Sequence, residues 1–471
     1  MITNTTTIRL EIEKGIRQKG HSLSSFGKQA GINRGIISGI LNGNPPKSIS
    51  IRQLDLMAEA LGHAEGWMYE YYVDECFINE KADWRRIKAF LLRCTEIGRY
   101  DCIKEVLDRL MEDLNNTISI FGLAEELYDE GKVQESLPFY ECVIENEKHQ
   151  HSERLAISHY RVFRASIGEN TEDNFRAAIR FEPFRDRLPE NLILDGLLNL
   201  AIIYYTLQNW SIMERFSDEL RSVIKTVYAI EEKKLEDTKN YESLDTEKPL
   251  VVYYGQSYLI KGAALEHQGK YKEAKTYIEQ YMDLSWFKIL DDNGKEEVLR
   301  LSHFATANMY LIEVLMGNTA VLDDYVNFLD KHPDEILSAM SNILKAANDY
   351  NFDIDDLLIK FKDSLDFDNL SENSYSKVAI IISRYINFHY QLAIYLAKKS
   401  KYYDAIENLL KSLKLSIKIY NKNKILDIIA SIEKAKNLAK PAQLIEYETM
   451  LKGVGNNEKI IDFNNLTSEL N

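Results

Sequence analysis

The sequence predicts an all-α fold in two parts, a small basic N-terminal helical domain followed by a long stack of helix pairs. Three observations lead there. Proline and glycine, the residues that interrupt helices, are scarce, at 8 and 21 in 471 residues. Charge is segregated: residues 1–49 hold seven Lys/Arg against two acids, a net of +5, which leaves −20 on the rest of a chain totalling −15. A signature of small residues around a helix-ending glycine recurs, with 33 residues from Gly98 to Gly131 and 37 from Gly131 to Gly168. The N-terminus is polar and no apolar run approaches the roughly 18 residues that span a bilayer, so a cytoplasmic protein with no membrane association is expected. Cys76, Cys94, Cys102 and Cys142 form no CxxC pair and are expected as free, buried thiols.

The first domain is expected over residues 1–66. Ile8, Ile12 and Ile16 repeat every four residues, one face of a helix that Gly20 ends. A short helix follows over Ser24 to Ala30 and breaks at Gly31. Asn33 is placed to cap a third helix, Arg34 to Leu41, which Asn42-Gly43 closes because both residues tolerate the left-handed conformation. Ser50 would cap a fourth, whose inner face is Ile51, Leu54, Met57, Ala58 and Leu61.

The segment from Ser24 to Gly43, with its small Ala30, turn Gly31, apolar Ile32, Ile37 and Ile40 and closing Asn42-Gly43, resembles the helix-turn-helix of the phage-repressor (Cro/CI) family. That resemblance implies a second helix lying in the DNA major groove while the first crosses the backbone. Residues outside the apolar set would then meet a double-stranded DNA operator. Asn33, Arg34, Gly35, Ser38 and Asn42 would do so on the recognition helix, and Lys28 and Gln29 at phosphates. Gly35 and Gly39 depart from a strong helix and should cost about 1 kcal/mol each against alanine.

Residues 67–452 are expected as the array. Its clearest unit is Gly262, Gly269, Tyr271, Ala274; others are Ala393, Ser400, Tyr402, Ala405 and Ala124, Gly131, Val133, Ser136. Small residues let two helices cross closely, the glycine reverses the chain, and the aromatic fills the wedge at the turn. This pattern resembles divergent tetratricopeptide repeats, which implies a right-handed α-solenoid with a concave groove. Glu231 to Lys248 reads as a charged insertion of helix extensions joined by a loop, and residues 453–471 as a polar tail.

A Cro/CI-like head on such an array resembles the RRNPP family of peptide-responsive quorum-sensing receptors, in its NprR-like or arbitrium-receptor-like branch. The resemblance implies a homodimeric transcription regulator whose DNA binding is controlled by a short linear signalling peptide in the groove. Extended peptides need donors and acceptors, which amides supply, so Asn199, Asn308 and Asn387 are candidates, with Tyr205, Gln256, Tyr258 and His267 near them. Arg161, Arg164 and Arg384 would take a peptide carboxylate. Two alternatives stay open: repeats that bind a protein partner and no peptide, and a bifunctional receptor that also captures a phosphorelay protein.

No P-loop, GxGxxG, HExxH, GxSxG or zinc-finger spacing is present, so no enzyme activity, cofactor or metal is expected. His149 and His151 lack a third ligand. Asp353, Asp355 and Asp356 lack the Gly and Glu of a calcium loop and read as an acidic helix start.

Overall fold

Helix caps set the first four elements. In the computed structural model, which describes residues 7–78, 81–147, 152–237, 241–365 and 375–454, α1 (Ile8–Gln18) opens on Thr7, whose side chain accepts from the Leu10 amide. α2 (Leu23–Ala30) is capped by Ser22 in a reciprocal pairing with Ser25. Gly31 then takes φ 67°, and Asn33 accepts from Gly35 N at 2.7 Å to start α3 (Arg34–Asn42). Ser50 and Gln53 cap α4 (Ile51–Leu61) in the same reciprocal way. Ile8, Ile12, Ile16, Ile37, Ile40, Leu54 and Met57 are buried as the spacing predicts. One expectation fails. Gly43 is extended (φ −67°, ψ 149°), not left-handed. A Cβ there would lie 2.4 Å from the Gly39 carbonyl oxygen, so close chain approach is what demands glycine.

After α5 (Tyr69–Glu75) comes a two-residue antiparallel ribbon, β1 (Phe77–Ile78) with β2 (Lys81–Ala82), pairing Phe77 with Ala82. Helices then follow in pairs: α6 (Trp84–Glu96) with α7 (Tyr100–Leu110), α8 (Thr117–Asp129) with α9 (Val133–Asn146), α10 (Glu153–Ser166), α11 (Thr171–Phe181), α12 (Glu190–Thr206) with α13 (Trp210–Asp237), and α14 (Leu250–His267) with α15 (Tyr271–Ile278). The series continues with α16 (Asp292–Leu315) and α17 (Leu322–Leu329), α18 (Ile336–Tyr350) and α19 (Asp355–Lys360), α20 (Tyr375–Lys398) and α21 (Tyr402–Lys418), and α22 (Lys422–Ala435) and α23 (Pro441–Val454). The protein is all-α apart from the ribbon, with stacked helical packing of the kind a helical solenoid has. None of the described helices is long and apolar enough to cross a membrane. The expected tail lies outside the described residues beyond 454.

The chain divides into two compact units, Met1–Ala165 and Ser166–Asn471. The expected break at residue 66 is not where compactness ends. Tyr69 and Arg93 both bond the Asp55 carboxylate on α4, at 2.7 and 3.1 Å, and Tyr72 donates to Ile49 O. These bonds hold α5 and α6 to the first four helices.

In the second unit, α12, α14, α16, α18 and α20 pack each on the next, and α20 returns to α12. Hydrogen bonds close the circuit. Thr171 Oγ1 donates to the Ile419 and Tyr420 carbonyls at 3.0 and 3.1 Å, and Asn421 Nδ2 donates to Thr206 O at 3.3 Å. Lys422 and Glu172 form an ion pair beside them. The inner helices therefore form a ring rather than an open trough. The insertion after residue 230 is part helix, as α13 runs to Asp237. The buried Glu231 carboxylate anchors the loop that follows, through Tyr241 Oη and Leu244 N at 2.8 and 3.0 Å.

Candidate functional sites

Two regions carry the residues singled out from the sequence. The first is the surface of α2 and α3. From Lys14 to Leu54 the chain contains no acid and seven Lys/Arg. Lys28, Arg34, Lys47 and Arg52 have no ion-pair partner among the described residues. A surface so biased attracts polyanions. Lys28, Arg34, Gly35, Asn33 and Asn42 are exposed and Ser38 is half-exposed. Asn33 spends its side chain on the α3 cap, and Gln29 donates to Ala60 O at 3.1 Å, so both also serve the fold. Arg9, basic by composition, is structural: it bonds Ile40 O and Lys47 O and pairs with Glu75. The two unfavourable glycines of α3 separate here. A Cβ at Gly39 would lie 2.8 Å from Lys47 Cδ, so the Lys47 stem covers it, whereas at Gly35 it would meet only the capping Asn33 oxygen, at 3.2 Å.

The second region is the inside of the ring. Four of the five inner helices carry a half-buried stripe at helical spacing: Asn199, Ile202 and Tyr205 on α12, Gln256, Leu259, Ala263 and His267 on α14, Ser338, Asn342 and Lys345 on α18, and Arg384, Asn387 and Gln391 on α20. Contacts between neighbouring helices link the ends of these stripes. His267 stacks on Trp210 with centroids 4.1 Å apart and lies 5.9 Å from the Tyr205 ring. Arg384 interacts with the Tyr205 hydroxyl and with Glu335. Asn308 donates to Tyr281 Oη at 2.8 Å, and Asn348 to Gln391 at 3.0 Å.

Electrostatics mark the same interior. Burial raises the Glu266 carboxyl to about 7, with only Lys345 opposing it. Burial lowers His267 to about 4, helped by Lys345 and Lys424. Burial also raises Glu335 against the pull of Arg384, and lowers Lys424. Several of these polar atoms are sealed from water without a partner: Glu266 Oε1, Arg384 Nε and Asn348 Oδ1. Such groups are costly in a low-dielectric interior.

Of the ten residues expected to hold a peptide, Tyr205, His267, Asn308 and Arg384 converge in this interior. Asn387 and Gln256 share its stripes. Asn199 is on the α12 stripe, but its amide donates to Asp195 O and Oδ2 at 2.8 Å each. Tyr258 turns elsewhere: it is buried against Tyr254 and Tyr277 beneath Arg221 and Lys225, in the packing of α14 on α13 and α15. Arg161 and Arg164 belong to the first unit. Arg161 pairs with both oxygens of Glu125 at 3.2 Å and covers the Tyr128 ring at 3.9 Å. Glu266, Glu335, Lys345 and Lys424 were not singled out from sequence, because an acid or lysine near a helix end reads as solvated until the ring closes over it.

A polar depression of about 350 Å³ between Ser400–Asp404 and Asn437–Lys440 contains none of the expected residues. Among the described residues no group of three His, Cys, Asp or Glu is arranged to hold a metal. Asp353 and Asp355 both bind Lys399 at 2.7 Å, which accounts for that acidic run; His149 and His151 lie outside the described residues. The four cysteines are free and buried.

The fold and these sites define the chain as an all-α protein of stacked helices with a basic head and a polar ring interior. Comparison with protein-family models, with curated proteins and with solved structures returned no match to this chain.

Proposed function

We propose that the protein is a cytoplasmic transcription regulator that binds double-stranded operator DNA through α2 and α3, and that a short linear peptide held inside the ring of the second unit controls that binding. The observation that carries this reading is the ring interior: a closed, amide- and charge-lined face with unmet hydrogen-bonding groups suits a small polar ligand better than a bulky protein surface. The acid-free surface from Lys14 to Leu54 supplies the DNA side. In this reading α2, the Gly31 turn and α3 are a helix-turn-helix, and the helix pairs are divergent tetratricopeptide units in a right-handed solenoid. A homodimer would place two α3 helices about 34 Å apart on one DNA face. Exposed Leu426 and Ile445, each 66% accessible, and Leu438 offer α22–α23 as its apolar contact. A protein partner on that apolar surface is the second reading.

Selection from a randomised duplex library tests the DNA side. The protein should enrich a two-part site, with affinity falling steeply as salt rises. Arg34→Ala should weaken binding to the selected site by about 5- to 100-fold, the worth of one base or phosphate contact, without lowering Tm. Unchanged affinity removes Arg34 from the interface, and no enrichment removes DNA from the function.

A further inference from the structure

α3 is a helix that its own sequence holds poorly. Gly35 and Gly39 lie inside it, and Gly43, extended beyond its end, supplies no left-handed cap. The last four carbonyls of a helix need partners from outside the helix. Two of them find theirs elsewhere in the chain. Gly39 O accepts from Lys47 N at 2.8 Å, and Ile40 O accepts from Arg9 Nε on α1 at 3.2 Å. Arg9 Nη2 also donates to Lys47 O at 3.3 Å, so one guanidinium ties the end of α3 to the loop that returns past it.

Arg9 is itself held from the other side. Both its Nη atoms reach the Glu75 carboxylate at the end of α5, Nη1 to Oε1 and Nη2 to Oε2, the second at 3.1 Å. Glu75 is the one carboxylate paired with Arg9 among the described residues, and the two side chains are only 16% and 23% exposed. A two-point pair so shielded fixes direction as well as charge. α5 is fastened to the head near its start, by Tyr69 to Asp55 and by Tyr72 to Ile49 O. Its Glu75 end is fastened to α6, where Arg86 Nη1 donates to Glu75 O at 2.5 Å. Hydrogen bonds therefore run without a break from α6 through Glu75 and Arg9 to the last turn of α3.

We propose that Arg9 and Glu75 are positioning residues for the DNA reader: they form an outside cap that orders the last turn of α3, and Arg86 sets that cap from α6. This rests on the reading of α3 as the helix that meets DNA and adds what keeps it in shape. Neither residue needs to touch DNA. With the cap in place, Ser38 and Asn42 are presented on a formed helix. With the cap released, the glycine-weakened turn frays and Asn42 leaves the reading face. The last turn of α3 is thus a two-state element that a helix outside the first four can bias.

The test joins hydrogen exchange of the full chain with binding to the duplex that it selects. Glu75→Ala leaves α1 and α3 unaltered in sequence. Arg9→Lys keeps the charge but cannot reach Ile40 O, Lys47 O and Glu75 at once. Both should speed exchange at the amides of Leu41, Asn42 and Lys47 by about 2- to 30-fold, the worth of a helix cap, with α2 and α4 as in wild type. Affinity for the selected duplex should fall by at least about threefold as the competent fraction falls, and affinity for a scrambled duplex should not fall. Arg86→Gln should give the same pattern at smaller size. Arg34→Ala should weaken binding with exchange unchanged, which separates contact from positioning. Exchange at the three amides equal to wild type in both cap variants overturns the cap. Faster exchange spread over α1, α2 and α4 makes the pair a brace of the whole head and overturns the positioning role. Faster local exchange with unaltered affinity for the selected duplex overturns the link to DNA. No effect of Arg86→Gln overturns control from α6. A wild-type protein that enriches no duplex overturns the DNA reading itself, and exchange still decides the cap. If one cap variant melts early, the other decides.

Discussion

Single residues set the electrostatics of the ring, and Glu266 does so at a cost to stability. An acid whose folded pKa is raised keeps its proton longer in the native state than in the unfolded chain. Stability then falls as pH climbs from the ordinary glutamate range to about 7, and is level above that. Glu266→Gln removes the effect. At pH 8 the variant should be more stable than wild type, on the order of a few kcal/mol, and near pH 4 the two should melt together. Denaturant unfolding at both pH values checks this, and a variant less stable at pH 8 would mean the carboxylate has a partner in the folded protein. Glu266 was not legible in the sequence, since Leu265-Glu266-His267-Gln268 is an unremarkable helix end. Gly39 was half-legible: its cost to the helix is visible in sequence, but the Lys47 stem that replaces a side chain there reaches it through a turn of the chain.

At the scale of elements, caps and turns carry local information, and the first helices follow it. Asn33 and Ser50 start helices by bonds to residues two or three positions on, so sequence spacing is enough to find them; Ser22 caps α2 in the same way, one residue before a helix expected from Ser24. Helix crossings are less legible because they depend on what the other helix presents. Gly262 was the expected close contact of α14 with α15, yet a Cβ there would sit 3.6 Å from Ala274 O, an ordinary distance. The tight place is Gly255, where a Cβ would fall 2.5 Å from Cδ1 of the buried Leu301 on α16. Gly255→Ala should destabilise the second unit by about 1–3 kcal/mol through overpacking, whereas Gly262→Ala should be neutral or gain up to about 1 kcal/mol of helix propensity. Thermal melts of the pair decide. Equal losses would place the close crossing at both positions.

At the scale of the molecule, the ring depends on residues about 250 positions apart, a separation no local pattern encodes. Helices, their pairing and the basic head could be expected from sequence, whereas the closure of α12 on α20 and the burial that follows could not. Thr171→Val keeps the shape of the side chain and deletes its bonds to Ile419 and Tyr420, which should cost about 1–3 kcal/mol. Faster hydrogen exchange at Thr171 and through the Ile419–Asn421 turn, with the amides of α2 and α3 unchanged, would locate the loss at the closure. Unaltered exchange at that turn would show that helix packing alone holds the ring. The central claim joins the two ends of the chain, ring occupancy and DNA binding. It is tested most directly by measuring Tm and operator affinity of the purified protein with and without a pool of short peptides from neighbouring small reading frames. A peptide that raises Tm and changes operator affinity together is the predicted result. Intact DNA binding that no peptide alters would contradict peptide control and favour a constitutive or protein-controlled regulator.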